Sequence, residues 1–93
     1  MEEMKKMLSR MLSNEEVKVV KVDWADSYYG YHVRMYDENM NIVDCAYVYV
    51  DPDVEYADLD VFDEIDKLLE QTNFEYVDDS RPCTYVRRAP SKP

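Results

Sequence analysis

Residues 28–50, YYGYHVRMYDENMNIVDCAYVYV, decide the fold. Apolar side chains occupy every second position from 29 to 35, which is the period of a half-buried strand. The polar segment 37–41 is rich in side chains that hydrogen-bond their own turn, and a second strand-forming run follows at 42–50. These features predict an antiparallel hairpin. Gly30, inside its first strand, indicates a bulge or a close approach of another backbone.

Elements on both sides of this hairpin follow from their periodicity. Helical spacing of apolar residues predicts a helix at 2–12 and a second at 58–71, where Leu59 begins the apolar stripe and Asp58 caps the start. A strand is expected at 16–24, with a bulge or burial on both faces because its apolar phase slips between Val19 and Val20.

Two short strands complete the chain at 74–77 and 84–88, joined by a turn at 78–82. The order helix, three antiparallel strands, helix, two short strands predicts one α+β domain over residues 1–88, with both helices packed on one face of the sheet. Residues 89–93 should form a frayed tail.

The two faces of strand 42–50 are not decided by the sequence. Tyr47 and Tyr49 share one face with Cys45, and Asp44 shares the other with Val48. A solvated Asp44 would bury the tyrosines in the core. Exposed tyrosines would instead suit an interface, because Tyr combines a large apolar ring with a polar tip.

Composition narrows the class of protein. The 93 residues include 21 acids and 11 bases, a net charge of −10, with 46% hydrophobic residues, which indicates a folded acidic domain. No stretch suits a transmembrane helix and no basic start leads into an apolar run, so we expect a cytoplasmic protein. The charge argues against direct binding to nucleic acid or to an anionic membrane.

Charge is concentrated in the middle of the chain. Residues 35–66 hold eleven acids and no base. Such a run can simply be a solvated face, but like charges oppose compaction, and mixed signs are enough for solubility. A partner of opposite charge explains the cluster better. The acids are Asp37, Glu38, Asp44, Asp51, Asp53, Glu55, Asp58, Asp60, Asp63, Glu64 and Asp66.

Catalytic and metal-binding patterns are missing from the sequence. His32 has no nucleophile near it in the chain, and Cys45 and Cys83 are too far apart for a zinc or redox motif. One disulfide between them is an alternative, but two reduced thiols are expected because no secretion signal is present. The Asp51-x-Asp53 opening of a calcium loop fails where glycine and glutamate are required. We therefore expect a non-enzymatic protein without metal or cofactor.

The acids can imitate a nucleic acid strand. Residues 51–66 carry eight carboxylates over a path that gives one charge per about 4–5 Å, against one phosphate per about 3.4 Å in a DNA strand. Tyr47, Tyr49 and Tyr56 lie beside this run and would act as anchors.

In size, acidity, tyrosine content and lack of glycine loops, the chain resembles the small phage-encoded DNA-mimic inhibitors, chiefly through residues 35–66. That resemblance implies binding to a host DNA-binding protein, with the nucleoid protein HU as the first expectation. Restriction enzymes, uracil-DNA glycosylase, RNA polymerase and CRISPR effectors are other targets of such mimics.

The alternative is another phage-type interaction inhibitor, such as an anti-CRISPR, an antitoxin or an RNA polymerase modulator, in which shape and aromatic contacts outweigh charge. Self-association is a further expectation. Unpaired sheet edges favour a homodimer, and a basic tail with Arg81, Arg87 and Arg88 can contact the acidic face of a second copy.

Overall fold

Seven elements follow one another in the predicted order, so the expected α+β class is confirmed. The computed structural model describes residues 2–27, 29–78 and 82–89. Residues 79–81 of the turn predicted at 78–82, and residues 90–93 of the tail predicted at 89–93, lie outside the described residues. The elements are α1 (Glu2–Leu12), β1 (Val19–Ala25), β2 (Gly30–Tyr36), β3 (Ile42–Tyr49), α2 (Ala57–Gln71), β4 (Phe74–Asp78) and β5 (Cys83–Arg87).

The strands form one antiparallel sheet in the order β3-β2-β1-β5-β4, with β1 in the centre. In the β1–β2 ladder, Val20 lies opposite Met35 and Val22 opposite Val33, and all four are buried. Directly opposed residues share a face of a sheet, so one face supplies the core. The buried sides of both helices belong to the same cluster. The opposite face carries no helix among the described residues, and we term it the open face.

α2 differs from its predicted start. The helix begins at Ala57, after Tyr56 in a left-handed conformation (φ 61°), and no side chain caps it, so Asp58 is not the cap. Leu59, expected in the buried stripe, is 61% exposed, and Val61 is the first fully buried position. The helix therefore enters the core at Val61, two residues later than the sequence pattern indicates.

The strand irregularities are also resolved. β1 pairs with β2 in continuous register, so no bulge occurs there. Val19 is half-buried on the open face while Val20 is fully buried, which is the predicted burial on both faces. A side chain at Gly30 would overlap the carbonyl oxygen of Val48, which confirms the predicted close backbone approach.

Arg87 ties the α1–β1 connection to the sheet. Its Nε donates to the Val17 carbonyl at 2.8 Å, and its Nη2 donates to the carbonyls of Leu12 and Asn14 at 2.9 and 3.1 Å. The guanidinium carbon also lies 4.5 Å from the centroid of the Phe74 ring. Arg87 thus has intramolecular partners, which removes it from the basic tail expected to contact a second copy.

The two cysteines are not bonded to each other. Cys45 lies on β3 and Cys83 on β5, three strand spacings or about 14 Å apart, beyond the reach of a disulfide. Registers place Cys45 on the open face and Cys83 on the helix-covered face. The expectation of unpaired thiols is confirmed.

Of the described helices, α1 with 11 residues and α2 with 15 are both too short to cross a lipid bilayer.

Candidate functional site

The β3–α2 connection and the first turn of α2 carry five exposed carboxylates, which we term the acidic segment. Its start is held in a turn because the Asp51 side chain accepts a hydrogen bond from the Asp53 N–H at 2.9 Å. The positive end of the α2 dipole favours the acids of the first helical turn. Among the described residues, none of the five forms an ion pair. The acidic segment consists of Asp51, Asp53, Glu55, Asp58 and Asp60.

Further along α2, two predicted site residues are engaged in ion pairs. Glu64 lies 2.8 Å from the Lys5 ammonium and joins α2 to α1. This hydrogen-bonded pair raises the pKa of Lys5 and lowers the pKa of Glu64. Asp63 pairs with Lys67 one turn later at 3.1 Å. Their charges are partly neutralised within the molecule, so they contribute less to an anionic surface than the sequence indicates.

Asp66 supports the core. Its Oδ1 accepts a hydrogen bond of 2.7 Å from the hydroxyl of Tyr85, whose ring is fully buried. Burial first, and the Asp66 hydrogen bond second, raise the pKa of the Tyr85 hydroxyl, which therefore stays a proton donor. This contact gives Asp66 a structural role.

The predicted outer acids lie away from the acidic segment. Asp37 and Glu38 are in the β2–β3 turn, at the opposite end of the eight-residue β3, about 25 Å along the strand from Asp51. Asp37 accepts hydrogen bonds of 2.9 Å from the N–H groups of Asn41 and Asn39, and these bonds lower its pKa. It holds the turn of the hairpin.

Asp44 lies on the helix-covered face of β3, and this face is the buried one. Ala46 and Val48 beside it are buried, while Tyr47 and Tyr49 on the open face are 49% and 58% exposed. The interpretation of Asp44 as marking a solvated face is therefore wrong. Asp44 itself is exposed because β3 is an edge strand.

The three tyrosines expected as anchors do not lie together. Tyr47 and Tyr49 are on the open face, on the other side of the sheet from α2, and Tyr47 stacks on His32 with ring centroids 4.3 Å apart and planes 3° apart. Tyr56 is 65% exposed and adjoins the acidic segment directly. The structure thus places only Tyr56 beside the acids.

The open face is a second surface, and the sequence pattern does not show which residues lie together on it. His32 and Arg34 of β2 lie beside Lys21 of β1, and the register places Cys45 opposite Arg34. Burial first, and then the charge of Arg34, lower the pKa of His32, with Asp23 acting in the opposite direction. The alternation of side chains along β2 puts His32 and Arg34 on one face, which follows from the sequence alone. Only the strand order brings Lys21 next to them.

Groups for metal or nucleophilic chemistry are not brought together within the described part of the chain. No set of three or more His, Cys, Asp or Glu side chains there is placed to hold a metal ion. The His32 ring contacts Tyr47, and no hydrogen bond joins it to either cysteine in this part of the molecule. Comparison with protein-family models, with curated proteins and with solved structures finds no match to this chain. The exposed surfaces of the molecule are therefore the features that bear on its function.

Proposed function

We propose that this chain is a non-enzymatic DNA mimic that binds the basic DNA-binding surface of a host protein, first of all the nucleoid protein HU, and blocks access of DNA. The observation that carries the proposal is the acidic segment. Five exposed carboxylates without ion pairs, among the described residues, follow one another from Asp51 to Asp60. Their path is at most about 25 Å, or one charge per about 5 Å, which approaches the phosphate spacing of a DNA strand.

The acidic segment also has a rigid support. Asp58 and Asp60 stand on α2, whose Val61, Ile65 and Leu69 are anchored in the core. Carboxylates held by a packed helix keep their positions before the partner arrives, which reduces the entropy lost on binding. Lysines and arginines arranged for phosphates would release counterions on meeting these carboxylates, so affinity should fall steeply with salt.

Displacement of DNA tests the proposal. A labelled duplex bound to HU should be released as this protein is added, with less release at high salt. A triple variant that removes three of the five charges of the acidic segment should lose about tenfold or more in apparent affinity, because three interfacial charge pairs are removed. The variant combines Asp51→Asn, Asp53→Asn and Asp60→Asn, whose amides retain the turn hydrogen bond.

A matched control removes the same number of charges from exposed acids elsewhere. It combines Glu2→Gln, Glu15→Gln and Glu75→Gln. Loss of about twofold or less is expected, since these positions lie outside the acidic segment. Equal losses in the two triple variants would assign the effect to net charge, and failure to release DNA at any salt concentration would overturn the proposal for HU.

A second candidate function is favoured by the exposed rings of the open face. Tyr47 and Tyr49 lie on the open face with 49% and 58% of their surfaces exposed, so both present large apolar rings to solvent. An inhibitor such as an anti-CRISPR, an antitoxin or an RNA polymerase modulator would use this face through shape and aromatic contacts. Partner binding that is insensitive to salt, and is lost in Tyr49→Ser, would support this function instead.

A further inference from the structure

A groove of about 390 Å³ lies between the start of α2 and the helix-covered face of the sheet. Trp24 and Tyr31 line it from the sheet, Leu59 and Phe62 from α2, and Asp58 belongs to the same lining. No lysine or arginine is among the described residues that form it. The volume is at the small end of the range of about 300–1,000 Å³ for ligand pockets, so the groove has room for a long side chain of a partner.

The aromatic rings of the groove are held in place by one another and by hydrogen bonds. Trp24 packs edge-to-face on Tyr31, with ring centroids 5.1 Å apart and planes at 80°, and Tyr31 lies 5.6 Å from Phe62. The Trp24 indole N–H donates to Asp26 Oδ1 at 2.6 Å, and the Tyr31 hydroxyl donates to the Asp58 carbonyl at 2.9 Å. The groove is thus formed before any ligand binds.

Aromatic faces and carboxylates attract the same kind of ligand. The π-faces of Trp and Tyr carry partial negative charge and bind cations, more strongly where water is displaced. Asp58 adds a full negative charge at the groove, and Asp60 continues the acidic segment next to it. An apolar stem with a planar cationic end satisfies both parts of this lining, and an arginine side chain has that form.

We infer that this groove receives an arginine side chain of the basic partner, an inference that rests on the proposed function for the identity of the partner. The guanidinium lies against the aromatic rings and near Asp58, while the apolar stem packs on Leu59. The groove thereby supplies a central anchor, and the exposed carboxylates around it supply steering.

Trp24 is the only tryptophan of the chain, so its fluorescence reports directly on the groove. The probe is a capped pentapeptide of four glycines around one arginine, and its control carries citrulline, which has nearly the same shape without the charge. The arginine peptide should change the emission of the full-length protein in a saturable way. The citrulline peptide should bind at least about fivefold more weakly. Equal effects of the two peptides would overturn the inference.

Two substitutions in one helical turn distinguish binding in the groove from a general effect of negative charge. Asp58→Asn should weaken binding of the arginine peptide about fivefold, and Asp60→Asn about twofold or less, although both remove one exposed carboxylate of the acidic segment. Equal losses of affinity in the two variants would show that the groove does not contribute to binding of the arginine peptide. Arg81 lies outside the described residues, and tighter peptide binding in Arg81→Gln would assign the groove to this chain's own arginine and overturn the inference.

The same variants distinguish this inference from the proposed function when duplex release from HU is measured. If the arginine peptide binds but the duplex is not released, the proposed function is wrong for HU, while the inference that the groove binds arginine is supported. If the duplex is released, and Asp58→Asn lowers the affinity no more than Asp60→Asn does in both assays, the inference about the groove is wrong while the proposed function stands.

Discussion

Replacing Tyr85 by phenylalanine removes one oxygen atom from the centre of the molecule. The Tyr85 ring is fully buried on β5, opposite Val20 of the central strand, and its hydroxyl donates to Asp66 of α2 at 2.7 Å. Phenylalanine fills the same space, so no large cavity forms. The substitution therefore isolates a single hydrogen bond between the sheet and the helix layer.

The expected loss in the free energy of unfolding follows from the charge and the exposure of Asp66. A hydrogen bond to a charged group contributes about 1.5–3 kcal/mol. Asp66 is half-buried, so water solvates part of the released carboxylate, and the net loss should be about 1–2 kcal/mol. For a domain of this size, such a loss lowers the melting temperature by about 5–15 °C.

Urea unfolding followed by Trp24 fluorescence measures this loss, with Tyr56→Phe as the matched control because Tyr56 is 65% exposed. The control should change the free energy of unfolding by less than about 0.5 kcal/mol. In a double-mutant cycle, Asp66→Asn and Tyr85→Phe should be non-additive. Equal unfolding midpoints for the two phenylalanine variants would refute the structural role of Asp66.

Three further predictions concern the sheet. Gly30→Ala should destabilise the protein by about 1–3 kcal/mol in thermal melts, because the added methyl overlaps the Val48 carbonyl, and an unchanged melting temperature would contradict the β2–β3 register. Asp37 has a lowered pKa when folded, so its stabilisation is complete above its ordinary value of 3.8 and is lost as the pH falls through the lowered one. Asp37→Asn should accordingly lose less stability than the parent as the pH falls below about 4, and parallel pH profiles would show that the carboxylate charge is not involved. Cys45 should react with a thiol reagent faster than Cys83, as counted by mass spectrometry, and equal rates would contradict their placement on opposite faces.

Much of the fold could be predicted because its signals are local. The alternation at 29–35 and the turn-forming residues at 37–41 specify the hairpin through interactions a few residues apart, and α1 and α2 have apolar stripes of helical period. The burial of the first turn of α2 was misjudged because Leu59 continues the apolar pattern although its side chain is 61% exposed.

The candidate site was less predictable, because charge in a sequence does not show which carboxylates already have partners. Glu64 and Lys5 are far apart in the chain, and so are Arg87 and the Val17 carbonyl. Their pairing depends on how the helices and the last strand dock on the sheet. The same holds for the groove, whose walls come from β1, β2, β5 and α2.

The order and type of the elements and the accumulation of acids at 35–66 follow directly from the amino-acid sequence, since both depend on neighbours along the chain. Tertiary structure alone decided that Tyr47 and Tyr49 are exposed, that Asp66 belongs to the core network, and that five carboxylates remain without ion pairs among the described residues. The physical reason is that both faces of β3 have an apolar pattern, and only the docking of the helices on one of them determines which side chains leave water.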